Sequence, residues 1–186
     1  MILPCVVKLG GSLYDLPDLA PRLRAWLKRR PESGLLLVPG GGPTAEVVRD
    51  FDRLHGLGEE RAHRLALRAL QLNAEFLKGL LPSAMVIDRP EQAPAGTCIL
   101  DPFGFLSRDD ALPHLWAVTS DSIAAHAAVV AGADQLVLLK SVEIPDRMSW
   151  EEAGERGFVD AWFARTLRPA LPRLRVRAVN LREWEP

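Results

Sequence analysis

GLLLVPGGGPTAEVV, residues 34–48, sets the reading of this chain. The continuously apolar run Gly34–Pro39 suits a strand covered on both faces, as in a parallel sheet. It breaks at Gly40, Gly41 and Gly42, and Pro43 then opens a helix, where its missing N–H has no partner to lose. Three glycines lose more conformational entropy on folding than a simple turn requires. A ligand approaching the backbone closely is one reason for them, and a tight strand–helix contact is the blander one. The helix start beyond them aims free N–H groups and a positive dipole end at whatever lies there.

Two other loops share this logic. In VVKLGGS, residues 6–12, Lys8 ends a strand, and Gly10, Gly11 and Ser12 follow. Paired glycines leave N–H groups uncovered for an oxyanion, and the lysine adds a point charge beside them. By itself such a loop is more often only a tight turn. The lysine precedes the glycines, so this is not a Walker A loop. In TSDSIAAHAAVVAGADQLVLLK, residues 119–140, a strand ends at Thr119 and Ser120, and Asp121 starts a helix that stops at Gly132. The strand after it ends at Lys140. An Asp at a helix start is usually a cap. The functional alternative is that Asp121 holds lysines in place, since open α/β sheets bind ligands outside the carboxyl ends of their strands. The chain has 19 Arg but only four Lys, so a lysine at two such strand ends is notable.

Apolar runs at Met85–Ile87, Thr97–Leu100, Leu115–Val118 and Val176–Val179 complete the strand set with those near Val6, Gly34–Pro39 and Gln135–Leu139. Helical patterns fill the gaps at Asp18–Arg30, before Pro31, and at Glu59–Leu81, Ser122–Ala131 and Asp160–Leu171. On the long one, Leu65, Ala66, Ala69, Leu70, Phe76, Leu77 and Leu80 are read as the apolar stripe. The alternation predicts an α/β protein, a three-layer αβα sandwich with a mainly parallel central sheet.

With 186 residues the expectation is one domain. A formal net charge of -1 excludes a field able to gather nucleic acid or anionic membrane non-specifically. No apolar stretch reaches the roughly 20 residues that span a bilayer, and no zinc-type spacing is present. Cys5 and Cys98 sit in apolar runs and read as buried, reduced thiols of a cytoplasmic protein.

Taken in order and spacing, VVKLGGS, PGGGPTAE and TSDSIAAHAAVVAGADQLVLL resemble the amino acid kinase family, over most of residues 4–140. RLHGLGEERAHRLALRALQLNAEFL and LPHLWAVTSDSIA further resemble its small archaeal-type branch that phosphorylates (aminomethyl)furanmethyl phosphate in methanofuran synthesis. The resemblance implies an ATP-dependent kinase acting on a small anionic acceptor, with Mg²⁺ bound through the ATP phosphates and no metal site on the protein. It implies an acceptor-binding part at about 1–118, a nucleotide-binding part at about 119–186, and a homodimer paired through the helix at Glu59–Leu81. Lys8, Asp121 and Lys140 would be catalytic. Gly10, Gly11, Ser12 and Ser120 would meet the nucleotide phosphates, and Gly40, Gly41, Gly42, His55, His63 and Thr119 the acceptor. The sequence also departs from the family: KSVEIPD stands where many members have Asp-Val-Asp-Gly, and the segment carrying a second lysine in acetylglutamate kinases is missing. Lys140 is our candidate for its replacement. These departures motivate the rival reading, a non-catalytic metabolite-binding protein on the same fold; a carboxylate acceptor is the other alternative.

Among the remaining residues, His126 in its Ala-rich helix reads as structural, and the scattered tryptophans as core or interface. The six arginines from Arg165 to Arg182 read as a solvated face. Lys8, at a strand end, is expected to contribute little packing.

Overall fold

A computed structural model describes residues 5–30 and 34–185. Leu3 and Pro4 of the first apolar run, and the Pro31 helix stop, lie outside them. Six parallel strands form one sheet: β1 (Cys5–Leu9), β2 (Leu35–Pro39), β3 (Met85–Ile87), β4 (Thr97–Leu100), β5 (Gln135–Lys140) and β6 (Arg175–Asn180), in the order β3-β4-β2-β1-β5-β6. Strands β1 and β2 are buried along their whole length, which is why they read as unbroken apolar runs.

Helices cover both faces. Between β1 and β2 lies α1 (Leu19–Lys28), which puts Leu19, Leu23 and Trp26 into one core with Val7, Leu9 and Leu37. On the opposite face, α4 (Pro102–Leu106), α5 (Ser120–Val130), α6 (Trp150–Glu155) and α7 (Phe163–Leu167) build a second core with Val6, Leu36, Leu136 and Leu138. The chain leaves β1 toward one edge first and reaches β5 and β6 on the other side later. Right-handed crossovers then place the two sets of helices on opposite faces.

Helix α2 (Gly42–His55) packs on α3 (Glu59–Leu80), the longest helix. The buried stripe of α3 is Ala62, His63, Leu67, Ala69, Leu70, Asn73, Ala74 and Leu77, while Leu65 and Phe76 are exposed. The expected stripe was therefore rotated, because two polar side chains occupy positions on the true one. Leu67 and Leu70 belong to one core, and Ala74 and Leu77 to the other, so α3 serves both faces of the sheet.

Leu115–Val118 is not a strand. It lies in a non-repetitive segment that ends at Thr119, so α5 follows a loop rather than a sheet strand. Short apolar runs carry no register of their own, and the position beside β4 is taken by β3. The helix expected over Asp160–Leu171 is limited to Phe163–Leu167 with a short 3₁₀ turn at Arg168–Ala170. Cys5 and Cys98 are buried free thiols, and burial raises the pKa of Cys5 to about 11. Among the described residues, no helix is long and apolar enough to cross a membrane.

Leu37 is fully buried in a strand paired on both sides. Leu37→Ala is expected to lower stability by about 3 kcal/mol, read from the urea midpoint.

Candidate functional site

Strand alternation brings the charged residues together. On β1, Val7 and Leu9 face the α1 side, so Val6 and Lys8 face α5. On β5, Leu136 and Leu138 face α5, and Lys140 follows them on the same side. Lys8 pairs in register with Leu138, which sets the two ammonium groups about one residue pair apart on neighbouring strands. Asp121, in the first turn of α5, comes down between them. Its Oδ1 lies 2.9 Å from Lys8 Nζ, and its Oδ2 accepts a hydrogen bond from Lys140 Nζ at 2.7 Å. The Lys8 approach is ionic: Oδ1 has no aligned hydrogen bond. The Phe158 carbonyl accepts a second Lys140 bond, at 2.8 Å.

Burial by itself would push the Asp121 carboxyl up, but the Lys8 and Lys140 ammonium groups outweigh it and hold its pKa below the usual value. Burial, with the Lys8 ammonium beside it, lowers Lys140 to about 8 against the opposing pull of Asp121. The three groups carry one net positive charge. Asp121 is not the helix cap: Thr119 is, its hydroxyl accepting the Asp121 N–H.

The two glycine loops interlock beside this cluster. A Cβ on Gly11 would lie 2.1 Å from Gly42 N, and one on Gly40 would lie 2.4 Å from Gly11 N. The glycines are thus demanded by loop-against-loop packing, whatever else they serve. Gly10 donates its N–H to the Leu139 carbonyl at 2.8 Å, so it ties the first loop to β5 and has no donor left for a phosphate. The N–H groups of Gly11, Ser12 and Gly41 meet no acceptor among the described residues. Asn73 pins the second loop from behind: its Nδ2 lies 2.7 Å from both the Gly40 and Gly41 carbonyls. Tyr14 donates its hydroxyl to Gly40 O as well. The residues carrying these unpaired N–H groups line a cavity.

A cavity of about 740 Å³ opens there, lined by Gly11, Ser12, Gly41, Gly42, Thr119 and Ser120 on its polar side. Leu70, Trp116, Val118 and Ile123 supply an apolar wall; Glu46 and Asp50 stand at the edge, ion-paired to Arg49 at 3.3 Å and to Arg53 at 3.0 Å. Lys8, Asp121 and Lys140 do not line it; Gly11, on the loop after Lys8, and Ser120, next to Asp121, do. His63 lines it too, stacked on His114 at 5.0 Å, and burial keeps its pKa below the ordinary histidine value. A neutral imidazole offers a hydrogen bond but no charge.

Several expectations need correction. His55 is exposed at the last position of α2, and about 1.5 Å of rise per residue puts it roughly 20 Å from the glycine end. It does not reach the site. The Thr119 hydroxyl, besides capping α5, donates to Asp160 Oδ2 at 2.8 Å, so it is occupied. Ser12 Oγ lies 2.8 Å from Ser141 Oγ. Lys8 is 4% exposed and ion-paired, hence a packed residue rather than a loose strand end. Trp116 is a cavity wall, with its Nε1 donating to Asp52 at 2.7 Å. Arg182 departs from the solvated arginine set: it donates to the Ser12 carbonyl at 2.8 Å and lines the cavity. His126 is structural, as expected, lying 2.7 Å from Asp109 and stacked on Phe105. Asn73 and Arg182 were missed; the signal for Asn73 was an amide in the middle of a buried helical stripe.

No family model matches the chain. Among curated proteins it is similar to the [5-(aminomethyl)furan-3-yl]methyl phosphate kinase of Methanocaldococcus jannaschii, at 28% identity over 148 residues, covering 74% of this chain. The chain spans about two thirds of that relative's length, 66%. Among solved structures it is similar to the uridylate kinase of Archaeoglobus fulgidus, with a TM-score of 0.65, 17% identity, and coverage of 94% of this chain and 90% of that one. The UMP kinase of Bacillus anthracis gives a TM-score of 0.64 at 15% identity, covering 97% and 88%. The fold is therefore the one expected from the three loops, that of the amino acid kinases.

Asn73→Ala strips the Gly40 and Gly41 carbonyls of a buried donor. It is expected to cost about 1–3 kcal/mol in urea unfolding, with the sheet's far-ultraviolet signal intact.

Proposed function

We propose that this chain, built on the amino acid kinase fold, is a phosphotransferase that moves the γ-phosphoryl group of MgATP onto a phosphate monoester. The observation that supports this most directly is the buried carboxylate shared by two ammonium groups beside two glycine loops whose Gly11, Ser12 and Gly41 N–H groups have no acceptor among the described residues. Phosphoryl transfer asks little covalent chemistry of a protein; it asks that the acceptor oxygen lie in line and that charge on the equatorial oxygens be balanced. Lys8 and Lys140 supply that charge, Asp121 keeps the two ammonium groups from repelling one another apart, and the Gly11 and Ser12 N–H groups serve as preorganised donors to the nucleotide. A phosphate acceptor is already a nucleophile, so no general base is required.

The acceptor fits the cavity in three pieces. Its phosphate faces the Gly41 N–H and the start of α2, a flat ring lies against Trp116, Val118 and Ile123, and an ammonium group takes the place of Arg49 and Arg53 beside Glu46 and Asp50. That combination matches the substrate in the name of the Methanocaldococcus jannaschii relative, (aminomethyl)furanmethyl phosphate. In this reading the magnesium ion is carried by the ATP phosphates. When bound, that ion neutralises phosphate charge. We assign 1–186 to one domain, cytoplasmic in location, with acceptor binding before about residue 119 and nucleotide binding after it. Leu65, Leu72 and Phe76 are exposed on α3 and support homodimer pairing through that helix.

The test is acceptor-dependent ADP release over a panel of phosphate monoesters and carboxylates. Tight ATP binding with no ADP release from any acceptor favours the non-catalytic reading. Lys8→Met leaves Asp121 and Lys140 as a neutral pair, so turnover is expected to fall about 10²- to 10³-fold while the chain stays folded. Near-full turnover would remove Lys8 from the mechanism.

Lys140 must be charged to act. With a pKa of about 8 it is an ammonium below that pH and neutral above it. The kcat/KM profile is therefore expected to fall as pH rises through about 8. In kcat the fall should come at higher pH, since bound phosphate favours the ammonium.

A further inference from the structure

Asp160 belongs to no helix or strand; it stands in the turn between α6 and α7. Its carboxylate nonetheless accepts five hydrogen bonds. Oδ2 takes the Thr119 N–H at 3.1 Å, the Thr119 hydroxyl at 2.8 Å and the Ser122 N–H at 3.0 Å. Oδ1 takes the Ser122 hydroxyl and, at 3.0 Å, the Trp162 N–H. Three of the five come from backbone N–H groups, two of them at the start of α5, where a helix has donors without partners. Thr119 and Ser122 bracket the dipeptide Ser120–Asp121.

The same segment reaches the other side of the cluster. Two residues before Asp160, the Phe158 carbonyl accepts the Lys140 Nζ hydrogen bond at 2.8 Å. One three-residue stretch thus grips both the turn that presents the Asp121 carboxylate and the ammonium which that carboxylate holds. The Thr119 hydroxyl links the two jobs: because its proton goes to Asp160, its lone pair is left for the Asp121 N–H.

We propose that Asp160 is a positioning residue for phosphoryl transfer: through Thr119, Ser122 and the adjoining Phe158 carbonyl it sets where Asp121 and Lys140 meet. Asp160 does not line the cavity, and the inference rests on the kinase reading above. Its charge has a second effect. The groups acting on Lys140 are Lys8, which disfavours the ammonium, and Asp121 and Asp160, which favour it. Removing the Asp160 charge therefore lowers the pH at which Lys140 loses its proton.

Asp160→Asn keeps the shape and removes the charge. Two readouts are compared with the unaltered protein: acceptor-dependent ADP release across pH, and the titration of Lys140 by NMR in protein labelled with ¹³C at lysine Cε, where only four lysines contribute. The expected result is a kcat about ten- to hundred-fold lower, with the Lys140 midpoint and the basic limb of kcat/KM both moved to lower pH. A loss of stability with midpoint and limb unmoved overturns the proposal and leaves Asp160 as a helix cap alone. The NMR readout does not depend on turnover. If neither protein releases ADP yet the midpoint still moves, the kinase reading fails while the hold of Asp160 on Lys140 stands. Should Asp160→Asn not fold, Ser122→Ala removes a single contact to Asp160. It is expected to lower kcat at least about three-fold with the KM for ATP unchanged, and an unchanged kcat overturns the proposal.

Discussion

A buried carboxylate with two ammonium partners is the constraint around which this molecule is arranged. One Asp121 balances one lysine; the second leaves a positive excess in a place where little water reaches. Leaving charge buried and unmatched is costly, and a buried group gives up its proton or finds a counter-ion before it bears that cost. Lys140 shows the strain in its lowered proton affinity. The Asp160 carboxylate sits close by, yet it spends its lone pairs on α5 and on Trp162 rather than on either lysine. In the proposed reaction an incoming phosphate supplies that counter-charge.

The sheet supplies the geometry. Lys8, the triple-glycine loop and Lys140 stand at the carboxyl ends of three neighbouring central strands, β1, β2 and β5. Parallel pairing in a fixed register makes their side chains point the same way without help from loops. The loops then lock against one another through glycine, so the donors of one cannot move far without disturbing the other. Preorganisation here comes from backbone packing, with Asn73 and Tyr14 holding carbonyls away from the cavity.

Much of this was legible in the sequence because it depends on local patterns. Unbroken apolar runs marked β1, β2 and β5, and glycines after a strand marked the loops. Rare lysines at strand ends marked Lys8 and Lys140, which the structure joins through Asp121. What escaped was set by distant packing. Leu115–Val118 looks like a strand, yet the sheet has no free edge for it beside β4. Gly10 reads as a phosphate donor until β5 claims its N–H. His55 shares a helix with the glycine loop but sits at its far end. Asp160 is separated from its partners by some forty positions and belongs to no motif, so nothing local announces it.

Helix α3 carries a consequence for how the protein comes apart. Because its middle turns, at Leu67 and Leu70, are sealed into the core beneath α5 and its later turns, at Ala74 and Leu77, into the core beneath α1, loss of α3 exposes apolar surface in both layers. The two sides of the sheet are bolted into one cooperative unit, and the bolt passes the cavity at His63.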